Sequence, residues 1–66
     1  MKSYYVQFIS TEDLEMYQEG KVSSNYEQLV KDTLAQAEFL RTYVFKVDTV
    51  KILNCLDGKI LETFDL

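Results

Sequence analysis

Histidine and proline are absent from these 66 residues, cysteine occurs once and glycine twice. Each shortage removes a class of chemistry. Without histidine, a serine or cysteine nucleophile lacks the base that nearly always activates it, and a structural zinc site loses a main ligand type. Cys55 has no internal disulfide partner and lies in an apolar stretch, where a free thiol usually acts as a small core or interface residue. Gly20 and Gly58 stand apart, so there is no glycine-rich loop to cradle a phosphate. The acids between Glu12 and Glu19 lack the ligand alternation and central glycine of a calcium loop. Carboxylates alone can do acid–base work, but only in a rigid cleft, which so short a chain can hardly wall. The sequence predicts a protein that is not an enzyme and holds neither cofactor nor metal.

Long apolar runs are also missing. No stretch has the uninterrupted apolar core of a signal peptide or membrane span, and a lone cysteine fits a reducing compartment, so the expectation is a soluble cytoplasmic protein.

Eleven acids face seven bases, and the net charge of −4 is local. Glu12, Asp13, Glu15 and Glu19 follow one another without an intervening base; without these four, acids and bases balance. Clustered lysine or arginine is what phosphate binding requires, so direct contact with nucleic acid or an anionic membrane is not expected.

The segment from Ser24 to Arg41 is the one long helix. Leu29, Val30, Leu34, Ala37 and Leu40 recur at three- and four-residue steps, with Tyr26 at the start and Val44 at the exit. Ser24 and Glu27 have capping-box spacing, Glu27 and Lys31 form a favourable i,i+4 pair, and Arg41 suits the negative end of the dipole. Phe39 falls off the stripe. It is read either as a flank of the core, the preferred alternative, or as part of a contact surface.

Residues 3–9 alternate around Tyr4, Val6 and Phe8, with Tyr5, Gln7 and Ile9 opposite, and predict a strand that is apolar on both faces. Residues 10–19 read as a short acidic helical turn ended by Gly20, with acids in its first turn and Leu14 and Tyr17 on its inner edge. From Tyr43 to Leu56 the chain reads as one long strand bulged near Asp48, in preference to two strands with a turn there. Asp57-Gly58 predicts a hairpin turn, and residues 59–64 the returning strand.

The expected fold is α+β. It is one small domain over residues 1–66, in the order β-(short α)-α-β-β, with a three- to four-stranded antiparallel sheet covered on one face by one long helix. Its core is filled by Val6, Phe8, Leu29, Leu34, Phe45, Val47, Ile52 and Ile60. Tyr5, Ile9, Leu53 and Leu61 would remain on the uncovered face, and with Phe39 they form a candidate apolar surface for a dimer or a partner. A chain this short buries only ~60% of its unfolded surface, which also points to a homodimer or a subunit of a complex.

Glu12, Asp13, Glu15, Tyr17 and Glu19 are the candidate partner-binding residues. The preferred reading of this acidic corner is a solvated helix start that improves solubility; in the other, carboxylates spaced along a short helix with Tyr17 beside them imitate phosphates and dock on the basic surface of a nucleic-acid-binding protein. Inhibitors and modulators of phage or mobile-element type share this size and charge, an analogy and not a family match. The alternative expectation is a dimeric small-ligand-binding or structural subunit with an apolar pocket between its sheets.

Overall fold

The computed structural model describes residues 1–66. Two strands come first, β1 (Lys2–Ser10) and β2 (Glu15–Ser23), then one helix, α1 (Tyr26–Tyr43), then β3 (Thr49–Asn54) and β4 (Ile60–Asp65). All four strands form one antiparallel sheet in the order β2-β1-β3-β4, which bears out the α+β expectation with four strands and one helix.

Strand β1 lies in the middle because both of its edges find partners. Along its whole length it pairs with β2, from Lys2 opposite Ser23 to Ser10 opposite Glu15, and on its other side with β3. Tyr4, Val6, Phe8 and Ser10 point to the helix side and are buried. On the same side lie Val50 and Ile52 from β3, Tyr17 from β2 and Phe64 from β4. Against them α1 presents Tyr26, Leu29, Val30, Thr33, Ala37 and Leu40, one stripe of a 3.6-residue period. At ~1.5 Å per residue its 18 residues span about as much as a nine-residue strand at ~3.3 Å, so one helix suffices to cover one face. Tyr26 Oη donates to Glu62 on β4 at 2.7 Å, and Gln36 Nε2 to Glu19 on β2 at 3.2 Å, which ties the helix to both edges of the sheet.

Four expectations are corrected. Residues 10–19 form no helix: 11–14 are a turn and Glu15 begins β2, so Gly20 lies inside a strand, opposite Tyr5. The reason is β1, a strand apolar on both faces and needing a neighbour on each edge; the segment next in sequence supplies one by folding back as a hairpin. The tyrosine beside Gly20 covers backbone that a glycine leaves bare, with its ring carbon 3.9 Å from where a Cβ would stand.

The long strand from Tyr43 to Leu56 is shorter, and neither sequence alternative describes it. Helix α1 runs on to Tyr43, and the Val44 and Phe45 N–H groups both donate to the Leu40 carbonyl, at 2.8 and 3.0 Å, to close it. A loop over 44–48 then returns Val47 to the core, and β3 begins only at Thr49. The irregularity expected near Asp48 lies instead in the β3–β4 pairing, at Ile52 and Leu53.

At its start the helix is capped by Asn25, whose Oδ1 accepts the Gln28 N–H at 3.1 Å, and not by Ser24. In the core, Thr33 takes the fully buried place expected for Leu34, and Ile60 is exposed, because its pairing with Leu53 puts it on the far side of the sheet. The Asp57-Gly58 turn forms as expected. Gly58 adopts φ 71°, the left-handed region glycine enters without strain, and donates to the Asn54 carbonyl at 2.9 Å.

Thr33 Oγ1 is fully buried and finds no hydrogen-bond partner. An unmet buried hydroxyl costs about 1–3 kcal/mol, and valine has the same branched shape without it. Thr33→Val should therefore stabilise the chain by about 1 kcal/mol, read as a higher urea midpoint with unchanged slope.

Candidate partner-binding surface

The sequence-predicted residues divide between two surfaces. Glu12 and Asp13 lie in the β1–β2 turn, and Glu15, Tyr17 and Glu19 follow on β2, where alternation puts all three on the helix side of the sheet. Tyr5, Ile9 and Leu53 lie on the rear face, away from the helix. Leu61 sits at the β3–β4 irregularity and borders an open groove with Tyr4, Asn54 and Leu56. Phe39 is not with them. It lies on the helix, outside the core-facing stripe and 58% exposed, with its ring 5.0 Å from that of Tyr43, so the preferred expectation of a core flank is corrected.

The five residues of the acidic set are not equivalent. Glu19 is already occupied: Lys21 pairs with it, Tyr17 Oη donates to it at 2.7 Å and Gln36 reaches it from the helix. Lys21 foremost and then Tyr17 hold the Glu19 carboxyl below its usual range, and the carboxylate in turn pushes the Tyr17 phenol up. Glu12, Asp13 and Glu15 are exposed and offer free carboxylates.

Between them stands a residue that sequence reasoning missed as a contact. Leu14 has φ 55°, is 91% exposed and closes the turn. The left-handed region costs a non-glycine residue roughly 1–2 kcal/mol, and here it holds a large aliphatic side chain out in water. Beside it, Met16, Tyr17, Leu40, Val44 and Phe45 line an open apolar groove with Glu15 at its rim. The alternation Asp13-Leu14-Glu15-Met16 was the available signal, hidden as long as the segment was read as helical.

The turn is held rigidly from outside the hairpin. Asp48 Oδ2 accepts from the Thr11 N–H at 2.9 Å and from its hydroxyl at 2.7 Å, while Oδ1 accepts from Thr49 Oγ1 at 2.8 Å. Its backbone bonds Ile9 and Leu66, each at 2.9 Å, so one residue joins the hairpin, the loop after the helix and the end of β4. Ser10 Oγ also accepts the Asp13 N–H at 3.2 Å.

In chemical terms the surface has carboxylates and apolar side chains, and no group of three or more side chains that could hold a metal ion. No protein-family model, curated protein or solved structure matches the chain.

Thr11, followed by Thr49, keeps the Asp48 carboxyl below the ordinary carboxylate range. A depressed folded-state value means that its stabilisation is complete above the ordinary value near 4 and is lost as pH falls through the lowered one. Asp48→Asn should therefore lower the Tm at neutral pH. In thermal scans across acid pH the gap to the parent chain should close, and a gap that stays constant would exclude a charge-dependent lock.

Proposed function

We propose that this chain is a non-enzymatic protein-binding module that engages a basic surface on another protein through its β1–β2 hairpin. The observation that carries the proposal is Leu14, a strained and exposed leucine between the free carboxylates of Asp13 and Glu15, the second of which lines an apolar groove. Strain retained at an exposed position, with no packing inside the molecule to reward it, suits a contact made only in a complex. Carboxylates at the rim would attract and orient a basic partner, while burial of Leu14 and the groove would hold it. A partner that binds nucleic acid has the surface charge this requires, and a module covering that charge would act as its inhibitor or modulator.

Two variants separate contact from folding. Glu12, Asp13 and Glu15 changed together to lysine reverse the free charges and leave the Glu19 network whole. Immobilised protein of this kind should lose the partner that the parent chain captures from its native cell extract, with far-UV circular dichroism unchanged. Asparagine tolerates positive φ better than leucine, so Leu14→Asn should stabilise the free chain by up to about 1 kcal/mol. The same change should weaken partner binding about tenfold, because burial of a leucine is typically worth ~1.5–3 kcal/mol. Capture equal to that of the parent chain in both variants would remove the hairpin from any role in binding.

A further inference from the structure

We infer that the rear face of the sheet binds a second copy of this chain, two sheets stacking face to face in a closed four-layer dimer with the helices outside. Alternation places Tyr5, Gln7 and Ile9 of β1 on this face. Met16, Gln18 and Val22 of β2 join them, with Thr49, Lys51 and Leu53 of β3 and Ile60, Thr63 and Asp65 of β4. Helix α1 lies on the other side, and no segment of the chain covers this one. Met16 and Ile60 remain 57% and 53% exposed, and Tyr5 and Val22 are also exposed.

Three observations select a copy of the same chain as occupant. The first is charge. Among those strand positions only Lys51 and Asp65 are ionised, one of each sign, although the molecule carries −4. Two such faces meet without repulsion, whereas the acidic hairpins of two copies would repel.

The second is pattern. A polar row of Gln18, Gln7, Lys51 and Thr63 crosses the face, with Gln7 Nε2 donating to Gln18 Oε1 at 2.8 Å, and beside it runs a row of Gly20, Tyr5, Leu53 and Ile60. A two-fold axis running along the strands between β1 and β3 sets Gln7 against Lys51 and Tyr5 against Leu53 and keeps the two lysines apart, an isologous arrangement. The third is size. The molecule measures 32 × 21 × 16 Å, so its broad face covers on the order of 700 Å², close to the ~800 Å² each partner contributes to a standard interface.

Sheets stacked in this way pack ~10 Å apart, and the symmetry closes at two copies. The small core gives the association a purpose, since only 10 of 66 residues are buried within one chain. The inference is independent of the hairpin's role. The dimer would use the rear face of β1 and β2 but leave both 11–14 turns free and present them as a pair.

Sedimentation equilibrium and thermal unfolding over a range of protein concentrations test it. The parent chain should sediment at twice its 7.8 kDa mass, and its Tm should rise with concentration. Val22→Lys with Ile60→Lys, which alters no buried residue and none that lines the groove beside the 11–14 turn, should weaken the dimer about a hundredfold or more by placing unpaired charge in the interface. Single Val22→Lys should weaken it in the same direction, and it provides the reading should the double variant fail to fold. Phe39→Lys, on the helix layer, should leave the dimer intact. A parent chain that stays at 7.8 kDa with a concentration-independent Tm would overturn the inference and assign the face to a different molecule. A dimer that survives the Val22 and Ile60 changes would overturn it too, placing the contact elsewhere, such as along the free edge of β2.

Discussion

Everything in this fold depends on β1 being hydrogen-bonded along both edges while only one of its faces is covered. Val6 and Phe8 are fully buried because β2 and β3 flank them and α1 lies over them. A strand so placed cannot slip by one residue, since a slip would exchange Val6 and Phe8 for Tyr5, Gln7 and Ile9 and put the core in water. The register of β1 therefore sets that of β2 and β3, and through β3 that of β4. The same constraint leaves a surplus. One helix covers one face, and the apolar residues on the other side of β1 are left to whatever else can reach them.

Much of this architecture is legible in the amino-acid sequence, because it rests on periodicity. The helix stripe, the alternation from Tyr4 to Ile9 and the Asp57-Gly58 turn are local patterns with local causes. The failures share a different cause. Glu15 to Ser23 has few β-branched or aromatic residues, and acids after Ser10 and Thr11 resemble the first turn of a helix, so local preference pointed the wrong way. Pairing with β1 outweighed it. Tyr43 to Leu56 failed in the opposite sense: its alternating apolar residues are real, but Tyr43 continues a helix already nucleated and Val47 reaches the core from a loop. Cooperative extension of an existing element is invisible to a window that reads each segment alone.

The candidate site was legible in composition and illegible in shape. The position of the acidic excess follows from counting, but its geometry depends wholly on whether the segment is helix or hairpin. As a hairpin it brings Glu19 to Lys21 and Gln36, which removes that carboxylate from the free set and leaves three. Nothing in the letter for leucine announces φ 55°, so Leu14 could be recognised only from the backbone. Phe39 shows the reverse error. An aromatic on an amphipathic helix is most economically read as core, yet the stripe was already complete without it, and Phe39 turned outward against Tyr43.

Two local rules are broken in this small molecule, and where each break lies decides what it means. The unpartnered hydroxyl of Thr33 lies in the core, beyond the reach of any other molecule, so it is a loss of stability with no compensation from binding. Leu14 breaks a backbone rule at the surface, between like charges, where the proposed binding role would let another molecule recover what the free chain forgoes. The grease and the charge are also kept apart: the rear face is nearly neutral, while the acidic excess is gathered on the hairpin. If both surfaces were acidic, association between copies would be opposed by the same field that would attract a basic partner. With the two kept apart, the proposed pairing of copies through the neutral face would leave the charged turn in water for the proposed basic partner.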